Sequence, residues 1–192
     1  MSLVRSMFAG VLLAGLSLSA AQAAPQAYSL DPAHSTVAFI LDHMGYAKML
    51  GRFNTVAGDI QFDKDAVDKS SVKVTIDAAS VDTNHAKRDE HLRSPDFFNA
   101  KEFPKLTFTS TAIEKTGDKT GRMTGTLTLL GVSKPVVLDV TFNKDANSPV
   151  SKKDTVGFSA RGTLKRSDFG MKYGVPAIGD DIALIIEVEA VK

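Results

Sequence analysis

The sequence predicts an all-β fold: a single antiparallel β-barrel of about eight strands, with short helical segments in its loops. Three observations carry that expectation. Apolar residues alternate with polar ones, period two, in eight stretches. The faces opposite the apolar ones are rich in Thr, as suits strands with one wet side. Turn-forming residues separate the stretches, and no linker or change of composition divides the chain. Eight strands also fit an open sandwich, but closure removes exposed edges and is the simpler solution.

In chain order, His34–His43 sets Val37, Phe39 and Leu41 on one face. Arg52–Phe62 sets Val56, Gly58, Ile60 and Phe62 on one face, with a bulge near Asn54-Thr55 as the place where the register could flip. Ser71–Asp77 aligns Val72, Val74 and Ile76. Leu106–Ile113 aligns Leu106, Phe108, Ser110 and Ala112 against three threonines. Gly121–Leu130 aligns Met123, Gly125, Leu127 and Leu129 against Thr124, Thr126 and Thr128. Pro135–Asn143 carries Val136, Leu138, Val140 and Phe142; Thr155–Leu164 carries Val156, Phe158, Ala160, Gly162 and Leu164. Asp181–Val191 closes the series with Ile182, Leu184, Ile186 and Val188. Two segments break the pattern. In Ser80–Lys101, Thr83 or Asn84 is positioned to cap a short helix that runs through Leu92 and stops at Pro95. Lys165–Asp180 is irregular and contains Gly170, Pro176 and Gly179.

The first 23 residues have the form of a secretory signal peptide. Arg5 supplies the charge, Phe8–Leu18 a short apolar run, and Ala21-Gln22-Ala23 the small residues before a cleavage point. The apolar run is shorter than the roughly 20 residues that span a bilayer. The expectation is a chain exported to a bacterial periplasm, not membrane-spanning, with residues 24–192 as one domain. A formal net charge of +1 argues against a nucleic-acid binder working through a basic surface. The absence of Cys excludes disulfides, thiolate catalysis and Cys-ligated metals.

Candidate chemistry is sparse. His34, His43, His85 and His91 are the only histidines; His85 and Asp89 share a helical spacing, but two ligands do not make a metal site. There is no G-x-S-x-G elbow and no glycine-rich phosphate loop. Asp59 and Asp63 are expected to face solvent rather than form an acid/base pair. No metal, cofactor or catalytic residue is expected. The densest polar cluster is Arg88-Asp89-Glu90-His91-Leu92-Arg93-Ser94, which reads either as a self-paired surface helix or as a polar rim whose arginines hold an anionic head. Arg166 with Asp168 reads the same two ways. Small residues on the inward faces (Gly58, Ser110, Gly125, Ala160, Gly162) fit either a packed core or an apolar tunnel.

The chain resembles the YceI-like family of exported bacterial proteins. The matching pieces are Tyr28–Ser35 (YSLDPAHS), Gly51-Arg52-Phe53, Arg88–Phe98 (RDEHLRSPDFF), Phe103-Pro104, Gly125–Val136 (GTLTLLGVSKPV) and Arg166–Met171 (RSDFGM). The resemblance implies an extended, lipocalin-like barrel that is often dimeric. It also implies a tunnel for polyisoprenoid lipids, such as isoprenoid quinones or polyprenyl phosphates, or for similar amphiphiles, and no established catalytic activity. By their shared inward parity, Phe39, Val56, Ile60, Val74, Phe108, Leu127, Leu129, Val140 and Phe158 are expected to line the tunnel. Phe97, Phe98, Phe103 and Phe169 are expected to cover one end. Arg88, His91, Arg93, Arg166 and Asp168 are the expected head-group residues. An enzyme acting on a small or lipidic substrate in the same cavity is the alternative, favoured by a buried His91.

Overall fold

A computed structural model describes residues 24–192. The signal peptide expected over residues 1–23 lies outside the described residues. The sheet contains eleven strands: β1 (Gln26–Leu30), β2 (Thr36–His43), β3 (Ala47–Phe53), β4 (Val56–Phe62), β5 (Ser71–Asp77), β6 (Val81–Asp82), β7 (Lys105–Lys115), β8 (Thr120–Leu129), β9 (Val132–Asn147), β10 (Asp154–Lys165) and β11 (Asp181–Val191). One helix, α1, spans Ala86–Leu92.

These eleven segments make an eight-membered ring, because three ring members are each broken once. β1 and β2 lie end to end: β1 pairs with β4 and β2 with β3, while β11 pairs with both. β3 and β4 form the next member, and β6 and β5 continue alongside them. From there β5, β7, β8, β9, β10 and β11 follow in sequence, every pair antiparallel. The result is an up-and-down barrel closed where the last strand meets the first.

The three breaks fall at one level; two are tied to each other and the third to β11. Asn54 N–H donates to Ser80 O, Thr55 N–H to Ser80 Oγ, and Asp77 N–H to Thr55 O. Asp31 N–H and Ser35 Oγ both donate to Glu189 O. Each break resets the alternation. Leu30 and Val37 both point inward, as do Phe53 and Val56, although an unbroken strand would put the members of each pair on opposite faces. The expected single strand over Arg52–Phe62 is therefore two strands, and Phe53 joins the core instead of facing solvent.

The α1 cap also differs from expectation. His85 is the N-cap, its Nδ1 accepting from Arg88 N–H at 3.2 Å. Thr83 is engaged elsewhere: its N–H and Oγ1 both donate to buried Asp89.

β3 meets β6 only at Arg52 and Phe53, so Ala47–Gly51 has a neighbour on one side alone. The β2–β3 hairpin tip accordingly projects beyond the ring. It is tied to the β10–β11 loop by Met44 N–H to Ala177 O and Gly179 N–H to Asp42 O, both 2.8 Å.

In the β1–β2 break, His34 Nδ1 lies 2.8 Å from Asp31 Oδ2. The hydrogen bond and charge of Asp31 raise the His34 pKa above its ordinary 6.5, and His34 holds Asp31 below its ordinary range. The raised histidine favours the fold below its unfolded pKa and loses that effect as pH rises through its folded value. The depressed aspartate favours it above its unfolded pKa and loses that effect as pH falls through its folded value. NMR titration is expected to place His34 above 6.5, and Asp31→Asn to bring it down; an unchanged midpoint in the variant would show that the pair does not form.

Candidate functional site

The barrel interior is hollow. Val37, Leu41, Val72, Val74, Phe108, Leu127, Val140, Phe158, Leu184 and Ile186 all pack against the buried core, yet each keeps partial exposure and lines a cavity of about 540 Å³. Ligand pockets typically run ~300–1,000 Å³. The wall is almost wholly apolar. Phe39, Phe53 and Phe98 form one aromatic cluster, with centroids 5.3–6.4 Å apart. Phe62, Phe142 and Phe158 form another, 5.2–5.7 Å apart, towards the opposite end.

Two glycines give these rings room. Phe39 lies across Gly51, its strand partner, where an added β-carbon would fall 2.3 Å from Phe39 Cζ. Phe108 lies across Gly125, where a β-carbon would fall 2.2 Å from Phe108 Cζ and 2.7 Å from Thr109 O. The small inward residues thus accommodate neighbouring rings, and a continuous cavity still remains.

Both ends of the cavity are polar and cationic. At the α1 end stand Thr83, Arg88, His91 and Arg166; at the other, Lys64, Ser70, Lys115, Asp118, Lys119 and Thr120. The wall carries five basic side chains (Lys64, Arg88, Lys115, Lys119, Arg166) against one acidic one, Asp118. None of the five is in an ion pair among the described residues. Arg88 donates from Nε and a terminal nitrogen to Thr83 Oγ1 and O, both 2.7 Å. Arg166 is 3% exposed and donates to the carbonyls of Gly179 (2.9 Å), Met171 (3.0 Å) and Ile178 (2.8 Å). Burial pushes the Arg166 pKa down, and Asp180 nearby opposes that. The Asp180 carboxylate itself is taken by Ser167 N–H and Oγ. A guanidinium has five N–H donors, so each arginine retains donors beyond those its carbonyl and hydroxyl partners use. Above Arg166, Phe97, His91 and Tyr173 meet with ring centroids 5.0–5.2 Å apart, and His91 Nε2 lies 2.7 Å from Asp96 Oδ2.

The structure places the expected tunnel residues as follows. Phe39, Ile60, Val74, Phe108, Leu127, Leu129, Val140 and Phe158 line the cavity. Val56 is buried beside the β3–β4 break, outside the lining. Of the four lid phenylalanines, Phe97 and Phe98 line the α1 end; Phe103 packs on Gly131 in the β8–β9 turn, and Phe169 is buried in the core. Of the head-group set, Arg88, His91 and Arg166 reach the cavity. Arg93 turns away to donate to Ala79 O and Val81 O, and Asp168 is exposed outside the lining. His85 and Asp89 do not form a ligand pair, since the helix cap and Thr83 occupy them. Asp31, His34 and Glu189 bring their ligand atoms within 4.8 Å of one another on the outer surface, away from the cavity. Sequence reading missed the lysine end. A bulge between Ser110 and Ala112 shifts the β7 alternation, so Ile113 and Lys115 face inward while Ala112 does not. An eight-strand meander puts the β4–β5 and β7–β8 turns at the end opposite α1, and that was the available signal.

Gly125→Ala is expected to destabilise the barrel by about 1–3 kcal/mol, the usual cost of overpacking, read as a lower denaturation midpoint. Arg166→Met removes the donor for three buried carbonyls and is expected to cost about 2–5 kcal/mol; a melting curve matching wild type would refute the pinning of the β10–β11 loop.

The family model described as YceI-like domain matches residues 28–190. Protein YceI of Escherichia coli O157:H7 is 40% identical over 185 residues, covering 95% of this chain and 96% of that protein. Among solved structures, BcnA of Burkholderia cenocepacia superposes with a TM-score of 0.76 at 26% identity, over 83% of this chain and 98% of that one. The YceI protein of Campylobacter jejuni gives 0.72 at 40% identity, over 79% and 89%. A polyisoprenoid-binding domain from Saccharophagus degradans shares the fold at 17% identity with a TM-score of 0.65, over 85% and 97%. With the family model and close relatives spanning nearly the whole described barrel, the chain belongs to the YceI-like family.

Proposed function

We propose that this protein binds or carries a long-chain isoprenoid, or a similar amphiphile, in the barrel cavity. The hollow apolar interior carries the reading. The cavity's roughly 540 Å³ lies within the ~300–1,000 Å³ typical of ligand pockets, and its apolar wall lacks the packing contacts that a filled core would give it. Water gains little in an apolar space, so a chain that supplies the missing contacts is the fitting occupant. The neighbour from Saccharophagus degradans, named for polyisoprenoid binding, supports the same class.

Arg88 and Arg166 at the α1 end, neither in an ion pair among the described residues, favour an acidic head, such as a polyprenyl phosphate, over a neutral quinone. Arg88, His91 and Arg166 form the head-group seat in this reading, with Phe97 and Phe98 covering it. His91 is exposed at the rim, so the burial that would favour catalysis is absent, and the protein is read as a non-enzymatic carrier. Export to the periplasm by the N-terminal signal, followed by action as a soluble homodimer, completes the proposal. Among the described residues no helix is long and apolar enough to cross a membrane.

Native mass spectrometry of protein purified from its own host is expected to reveal a bound lipid, and stripping that lipid to lower the melting temperature. A protein that arrives empty and is unaffected by added lipid would refute the reading. In titrations, the phosphate probe is expected to bind more tightly than the quinone and to weaken with salt. Arg88→Ala is expected to cost the phosphate about tenfold (~1.4 kcal/mol) and leave the quinone unchanged. Equal affinities with no salt dependence would reject the acidic head.

A further inference from the structure

We propose that the rim at the α1 end of the cavity is a membrane-docking surface. It seats on an anionic lipid bilayer, so that cargo passes between bilayer and cavity without crossing water. The need for such a surface rests on the lipid-carrier reading above; the surface itself rests on separate observations.

Seven large apolar side chains are exposed among the described residues, and five of them gather here: Met44, Tyr46 and Leu50 from the β2–β3 hairpin, Tyr173 and Val175 from the β10–β11 loop. Tyr46 is 90% exposed. The turn that presents it is fixed: Met44 and Gly45 have φ of 56° and 73°, and Gly45 N–H donates to Asp42 Oδ1 at 2.7 Å. The two segments form one surface through the antiparallel bridge between His43 and Ile178, made of the Met44–Ala177 and Gly179–Asp42 hydrogen bonds.

Two further facts choose the partner. First, Leu50 and Tyr173 are both exposed and part of the cavity lining, so the outer apolar surface is continuous with the apolar interior. A second copy of the chain seated there would seal the opening through which cargo must pass. A bilayer instead extends the same apolar phase. Second, the apolar stretches His43–Leu50 and Met171–Gly179 carry no acidic residue and one lysine each, Lys48 and Lys172. The acids at their margins are engaged, Asp42 by Lys48, Asp180 by Ser167 and Asp96 by His91, with Glu90 exposed on α1. Lys48 pairs with Asp42 at the base of the hairpin, 3.1 Å away, and Lys172 has no acidic partner among the described residues. Tyrosines and aliphatic side chains flanked by lysine are the composition of an interfacial anchor on anionic lipid.

The test is co-sedimentation of the purified protein with vesicles of phosphatidylethanolamine and phosphatidylglycerol, compared with phosphatidylcholine alone. Wild type is expected to bind the anionic vesicles preferentially and to release with salt. Tyr46→Ser and Met44→Ser are each expected to weaken binding about tenfold (~1.4 kcal/mol) through the apolar contact they remove. Lys172→Glu, which leaves the turn intact, is expected to abolish the preference for anionic vesicles. All three variants are expected to keep wild-type affinity for farnesyl phosphate, a soluble probe of the cavity. Absence of wild-type binding to either vesicle would overturn the proposal. So would light scattering in which Met44→Ser or Tyr46→Ser turns a dimer into a monomer without any vesicle binding, which would make the rim a subunit interface. If farnesyl phosphate fails to bind while vesicle docking persists, the carrier reading falls and the docking surface stands.

Discussion

β11 pairs along one edge with β10 and along the other with two strands, β2 over Ala183–Glu187 and β1 at Ala190–Val191, and this double seam is what permits a hollow interior. An open sheet of the same sequence would have to bury its apolar face against a second layer. A closed ring satisfies its backbone groups around the circumference, so shape is held by hydrogen bonds even where the centre is unfilled. Side-chain packing is then free to serve the bore rather than the wall. The Phe rings across Gly51 and Gly125 show that freedom in use.

Polarity is distributed to match. Between its ends, the inner wall is almost wholly apolar; charge on the lining is confined to the ends, and there it is basic. Arg166 is the most constrained of these charges. Its three carbonyl partners all come from Met171–Gly179, so one guanidinium both folds the β10–β11 loop and brings a positive charge to the cavity. Carbonyl dipoles make its direct contacts, while the nearby Asp180 carboxylate, held by Ser167, acts on it only at longer range. A site assembled this way stays electropositive without a conformational change.

Much of the barrel was legible because one face of each strand is buried, and a period of two is hard to mistake when it persists for seven residues or more. The sequence failed where the period is interrupted. The breaks at Asp31–Ser35, Asn54-Thr55 and Ala78–Ser80 reset the alternation, which hid β1 and β3 and turned Phe53 the wrong way. The bulge in β7 hid Lys115 for the same reason. In the irregular segments no period exists to read. There, residue type alone could not separate Arg88, whose guanidinium reaches the cavity, from Arg93, which reaches back to Ala79 and Val81. Nor could it separate Phe97 and Phe98 from Phe103, because backbone turns decide which aromatic ring faces in.

The β2–β3 hairpin beyond the β11 pairing is in effect a two-stranded ribbon with one free edge. Such a ribbon has little stability of its own. Its anchorage is one antiparallel bridge, made of two hydrogen bonds, to the β10–β11 loop, which Arg166 holds in turn. Displacing Ala47–Gly51 breaks backbone bonds on one side only, so this corner opens at less expense than strands paired on both sides. Amide exchange there is therefore expected to be faster than in β8, which is paired on both sides along its length. Mechanically, the hairpin corner is a compliant part of a tube held elsewhere by double pairing, as along β8.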